Sequence, residues 1–282
     1  MNFSDLNLDL QGFAKRVYDN LLYKSTFMNF LNKNYIGELR STGTPVIEIS
    51  KEKLVALNTH NAEITTALTP GLATYDSVKV DLTELRKSYS VNISPLVANV
   101  TQAISGQVDL EDSAISKAID TYGFDKLGTN EDIDTFVWNF TTNEEYIGGL
   151  NSLKMTLFNA DVYEGYKLGL EATEYGKLVS ALTSVLKYET MAGVEGVDRG
   201  IVANAYGIEI FPVNSAVLTN DELGYFASEI GVVGDAFFSK FNQWNGDRPG
   251  YPGMISIEGI VMFGAEVVKP EAVIKLVAEA SE

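Results

Sequence analysis

Residues 13–35, FAKRVYDNLLYKSTFMNFLNKNY, place apolar side chains at helical spacing. Phe13, Val17 and Leu21 share a side with Lys24, and Leu22, Phe27, Phe30 and Leu31 widen the apolar surface. The spacing predicts one amphipathic helix or two short ones. Either the apolar face packs on the chain's own core, or the segment is an arm that docks on another molecule.

The period then changes. TPVIEI (44–49) and YDSVKVDL (75–82) alternate apolar and polar residues and are rich in β-branched side chains, which predicts two strands. About two dozen mostly polar residues separate them, too many for a tight turn, so an extended β excursion is expected.

The longest helical pattern follows. Ser94 can cap a helix and Pro95 suits its first position. Apolar residues recur at Val97, Val100, Ile104, Val108, Ile115, Ile119 and Tyr122, with Glu111 interrupting the stripe. One long helix is expected, weakened at Gly106 by about 1 kcal/mol relative to Ala. Beyond residue 128 the pattern is mixed. TFVWNF reads as a strand or part of a short helix, and EYIGGLNSLKMTLFNADV and TEYGKLVSALTSVLKYETMAG read as helices. GIVANAYGIEIFPVNSAVL reads as strand, Gly turn, strand and loop. NQWNGDRPGYPG is turn-rich, and MISIEGIVMFGAEVVKPEAVIKL reads as two strands around Gly264 and a final short strand.

Composition narrows the classes. The 282 residues allow one large or two modest domains, and 45% hydrophobic residues suffice for a sizeable core. No apolar run reaches the roughly 18–20 residues that span a bilayer, and MNFSDLNLDLQGF lacks the basic start and apolar stretch of a signal peptide. A soluble protein is expected. With no cysteine, disulfides, thiolate metal sites and thiol catalysis are excluded. Thirty-eight acidic residues against 21 basic give a net charge of −17, a field that repels phosphate backbones.

Candidate chemistry is sparse. The one histidine, His60, lies in the polar stretch LNTHNAEI and is expected in a loop or at the surface. GVEGVDRG (193–200) has neither dinucleotide nor phosphate-loop spacing. DLEDSAISKAID and GTNEDIDTF do not match a calcium loop and are expected as solvated acidic faces. Carboxylate pairs for glycoside hydrolysis are numerous by chance, and nothing selects one. No catalytic, cofactor-binding or metal residue is assigned, and no cofactor.

The order of these parts resembles the major capsid proteins of tailed bacteriophages, with the α+β Hong Kong 97-like fold. FAKRVYDNLLYKSTFMNFLNKNY is similar to the N-terminal arm, GTPVIEIS through DSVKVDL to the E-loop and its base, and SPLVANVTQAISGQVDLEDSAISKAIDTY to the spine helix. AYGIEIFPVNSAVL, GDAFFSKF and GIVMFGAEVVKPEAVIKL resemble, in turn, a strand before an Asn-Ser step, the return from the axial domain, and the closing strands. The resemblance implies an N-arm over 1–40, an E-loop with base strands over 41–82, a peripheral domain with the spine helix over 83–130 and 251–282, and an axial domain over 131–250. The terminal strands are expected to complete the peripheral sheet, burying Ile260, Val261, Phe263, Val267 and Val268. No long charged segment precedes the arm, so a fused scaffolding domain is expected to be absent or removed before the chain begins.

The resemblance further implies a non-enzymatic subunit that self-assembles into pentamers and hexamers of an icosahedral head in the host cytoplasm and stays in the virion. The head would enclose double-stranded DNA without reading its sequence. Scaffolding, portal and decoration proteins are the implied partners, and no membrane. Two alternatives stay open: an encapsulin-like compartment shell on the same fold, and an α/β hydrolytic enzyme using carboxylates.

Overall fold

In the computed structural model, strands of the chain's second half return to pair with those of its first. The structure describes residues 17, 19–21, 24–32, 46–52, 75–93, 100–185, 203–219, 221–245, 249–250 and 253–279. Strands β1 (Leu31–Asn32), β4 (Leu85–Ile93), β10 (Val232–Asn245) and β11 (Ile255–Val267) form a four-stranded sheet in the order β1-β10-β11-β4. A second sheet takes β5 (Asp134–Val137), β6 (Tyr166–Glu171), β7 (Ala203–Ala205), β8 (Ile208–Val213), β9 (Glu222–Ser228) and β12 (Val273–Val277), in the order β5-β12-β9-β6-β8-β7. A separate two-stranded ribbon pairs β2 (Val46–Glu52) with β3 (Tyr75–Asp81), from Val46 opposite Asp81 to Glu52 opposite Tyr75. These are the two alternating stretches of the sequence. Residues 53–74, His60 among them, lie outside the described residues.

Besides the helical residues 17, 19–21 and 24, the described residues include three longer helices: α1 (Val100–Gly128), α2 (Asn143–Asn159) and α3 (Ala172–Val185). At about 1.5 Å per residue the 29 residues of α1 extend about 43 Å. The expected start at Ser94 and Pro95 lies outside the described residues, and the helix runs six residues past Tyr122. Helix α2 begins where Thr142 accepts from the Glu145 amide while Glu145 reaches back to the Thr142 amide, a reciprocal cap. TFVWNF resolves into strand β5, and AYGIEIFPV into β7, the turn at Tyr206–Gly207 and β8. GVEGVDRG lies outside the described residues.

The core is shared between the sheets. Phe27, Phe30, Phe124, Phe211, Tyr225 and Phe263 belong to one buried cluster, although they come from the N-terminal segment, α1 and strands of both sheets. Phe27 stands edge-on to Phe124 at 5.3 Å and to Phe263 at 6.1 Å, and Phe30 meets Phe211 at 5.0 Å. A second cluster lies between α2, α3 and the six-stranded sheet.

The closing stretch departs from expectation in three ways. Strand β11 continues through Gly264 as one strand instead of two. Ile260 is 40% exposed, because it stands on the other face from Val261 and Phe263 in a strand of alternating direction. The last strand, β12, leaves the four-stranded sheet: after Pro270 starts a short turn, it inserts between β5 and β9 of the six-stranded sheet. Conversely β10, inside the range expected to be axial, pairs with β11 in the four-stranded sheet. The chain changes sheets at residues 228–232 and 267–273.

Candidate functional site

Two joints stand out: a clamp between the N-terminal segment and α1, and the base of the ribbon. The core-facing side of α1 carries Val108, Asp112, Ile115, Ser116, Ile119, Asp120, Phe124 and Leu127, a stripe that recurs every turn of the helix. Two of these are acids. DLEDSAISKAID was expected as a solvated acidic face, yet Asp112 is fully buried and Asp120 is 7% exposed. The reason is the N-terminal segment, whose hydrogen-bond donors meet them.

Asp120 accepts from Ser25 Oγ at 2.6 Å, from the Phe27 amide at 2.9 Å, and from the Thr26 amide and hydroxyl at 3.3 and 3.1 Å. The carboxylate thus caps the 3-10 turn Phe27–Asn29, whose own N-cap side chain makes no capping bond. Burial pushes the Asp120 carboxyl above its ordinary pKa, opposed by the hydrogen bonds from Ser25, Phe27 and Thr26. One turn and more along α1, Asn20 donates to Asp112 at 2.8 Å, and Lys24 donates to the Asp109 carbonyl at 3.0 Å and to Ser113 at 3.2 Å. On the other side Lys167 of β6 donates to the Asn29 carbonyl at 2.7 Å and pairs with Glu229 at 2.8 Å. Of the two placements left open for residues 13–35, the described residues take the first: Val17, Leu21, Phe27, Met28, Phe30 and Leu31 are all buried in the chain's own core.

The ribbon base stands on the four-stranded sheet. Ile49, Val80 and Leu82 are buried against Val233 and Val268, a small cluster separate from the main core. Here the chain crosses β11 backbone to backbone. The carbonyl oxygen of Asp81 fills the place a Gly264 side chain would need, and the Leu82 α-carbon lies 2.7 Å from it. Gly264 is therefore the point where β11 lets the ribbon pass, which is why the apolar stretch holds a glycine there.

The turn after β3 is fixed by charge. Asp81 accepts from the amide and the hydroxyl of Thr83, both at 2.8 Å, and those bonds hold its carboxyl below the usual range. Glu84 next to it pairs with Lys126 of α1 at 2.7 Å and accepts from Tyr122 Oη. Lys126 also pairs with Glu266 of β11 at 2.7 Å. Burial alone would depress the Lys126 ammonium, but the hydrogen bonds and charges of Glu266 and Glu84 more than offset it and raise its pKa. One cation thus joins helix, ribbon turn and sheet.

Sequence reasoning found the ribbon strands and the helix but not these joints. The signal available was the spacing Asp112, Ser116, Asp120 on the stripe that Val108 and Ile119 define. Among the described residues no three acidic or histidine side chains gather as a metal-binding group.

No family model and no curated protein matches the chain. Solved structures do. The chain is similar to a structure from Mycobacterium phage Che8 at 16% identity, over 89% of this chain and 90% of that one, with a TM-score of 0.62. It is similar to the capsid structure of cyanophage P-SCSP1u at 17% identity, over 84% of each chain, with a TM-score of 0.61. A virus-like particle from Pyrococcus furiosus aligns over 95% of this chain and all of that one, at 9% identity and a TM-score of 0.55. The sheets, the long helix and the ribbon at its flank therefore make up the Hong Kong 97-like fold of phage capsid subunits.

Proposed function

We propose that the chain is the major capsid protein of a tailed phage, a structural subunit that assembles with copies of itself into the shell of the virion. The ribbon β2–β3 supports this most directly. Its base is cemented by the Gly264 crossing and the Lys126 bridges, while among the described residues each of its strands pairs only with the other. A ribbon so anchored, with edges able to take another strand, fits a subunit that reaches a neighbour. In this reading α1 is the spine helix, the four-stranded sheet the peripheral layer and the six-stranded sheet the axial layer. Pentamers and hexamers, DNA inside, and scaffolding, portal and decoration partners follow from the same reading, with assembly in the host cytoplasm.

Negative-stain electron microscopy and light scattering of the purified chain test it. The expected result is closed shells tens of nanometres across, or rings of five and six. A chain that stays monomeric at high concentration, with crowding agent and with the scaffolding protein, would overturn it. An encapsulin-like shell is the second reading, motivated by the virus-like particle's full-length alignment. Protein cargo inside the purified particles, instead of DNA packaged through a portal, would favour it.

A further inference from the structure

Helix α2 carries two unlike surfaces at its two ends. At its C-terminal end Met155, Phe158 and Tyr163 are 57%, 50% and 59% exposed, an unusual concentration of large apolar side chains in water. The rings of Phe158 and Tyr163 stand edge to face at 5.0 Å, and Tyr163 Oη donates to Asp161 at 2.7 Å. The pair is a stiff aromatic knob flanked by two exposed acids, Asp161 and Glu164.

At the N-terminal end lies an open cleft of about 630 Å3, lined by Phe140, Thr141, Asn143, Tyr146, Gly176 and Lys177 among others. The packing beneath it is prearranged. Glu174 accepts from Trp138 Nε1 at 3.3 Å and from Tyr146 Oη at 2.9 Å, and burial, followed by the bond to Glu174, pushes the Tyr146 phenol up to about 12. Lys177, paired with Glu174 at 2.6 Å and 55% exposed, puts a cation at the rim. Seventeen residues of helix, about 25 Å, separate knob from cleft.

We propose that the knob of one copy enters the cleft of the next, so that α2 is the repeating strut of a head-to-tail ring; this rests on the shell-subunit reading. The occupant is a second copy because both halves stand on one chain and match in kind: aromatic rings meet the Phe140 and Tyr146 side of the cleft, and Asp161 and Glu164 meet Lys177 at its rim. A contact between two different surfaces closes into a ring when the rotation per copy is right. Such contacts gather their energy on buried Tyr and Phe anchors.

Two variants test it. Phe158→Ser with Tyr163→Ser removes the knob from an exposed position. Gly176→Trp fills the cleft, and a β-carbon at Gly176 meets nothing within 4 Å, so the helix accommodates it. Each alone is expected to raise the concentration needed for assembly by about tenfold or more, with circular dichroism and melting temperature unchanged. Mixed, the knob-less chain keeps a cleft and the cleft-filled chain keeps a knob, so mass photometry should show a one-to-one dimer and no ring. Both variants forming rings or shells like the unaltered chain would overturn the knob-and-cleft contact while leaving the shell reading standing. An unaltered chain that never assembles would overturn both.

Discussion

The backbone of Asp81 rests directly on Gly264, with no room between them for a β-carbon. The strand that closes the four-stranded sheet and the ribbon that leaves it are thus in backbone contact. Gly264→Ala must push the ribbon base off the sheet or bend β11. Overpacking of this kind costs about 1–3 kcal/mol. The expected outcome is a melting temperature lower by about 2–4 °C per kcal/mol, with added protease cleavage near residue 82. An unchanged melting curve would show that the crossing relaxes freely.

Asp120 should behave as a structural acid. Asp120→Ala leaves the buried donors of Ser25 and Phe27 without their acceptor, at about 1–3 kcal/mol for each. Asp120→Asn keeps one oxygen and should lose less. The pH dependence has a definite sign. Burial raises the carboxyl's pKa in the folded state above the ordinary 3.8, so the folded chain binds this proton more tightly than the unfolded chain. The group's contribution is therefore fully present below about 3.8 and declines as pH rises through the higher folded value. Urea titrations across pH 3–8 should show the gap between the unaltered chain and Asp120→Asn widening toward acid. A gap that narrows toward acid would contradict the assignment.

Lys126 titrates at the other end of the scale. Its pKa is raised above 10.5, so its contribution is present below that value and is lost as pH rises through the folded one. Lys126→Met should cost about 1 kcal/mol at neutral pH, a modest figure because the side chain is partly in water and screened. It should also flatten the loss of stability above pH 10.5. Added salt is expected to weaken the unaltered chain more than the variant, read from the denaturation midpoint at low and high ionic strength.

The cap of α2 offers a control remote from the ribbon. Thr142→Ala removes the acceptor for the Glu145 amide and should cost about 1 kcal/mol. Thermal melting checks this, and the ribbon's protease pattern should not change.

What the sequence disclosed follows from which elements keep one face in water. Strands β2 and β3 do, and their alternation announced them. Helix α1 does, and its stripe was visible from Val108 to Tyr122. Strands β6 and β9 sit inside the six-stranded sheet with nearly every residue buried, so no alternation marked YKLGLE or ELGYFAS. The charges of Lys167 and Glu222 further disguised them, since each is buried only because a partner distant in sequence receives it. Asp112 and Asp120 misled for the same reason: an acid whose partners lie more than ninety positions away looks like an acid in solvent. The swap of β10 and β12 between sheets had no local sign, because pairing partners are chosen by the whole fold.

Strand β12 has a consequence in time. It sits between β5 and β9, and its Ile274 lies opposite Asp134, 140 positions earlier (274 minus 134). A sheet whose second strand is supplied so far along the chain cannot be completed until that strand has been synthesised. Pairing so distant in sequence is also slow to form. The six-stranded sheet therefore stays open while everything before residue 273 is synthesised and seals only afterwards. Chains cut short before residue 273 would lack that strand and leave the sheet divided between β5 and β9.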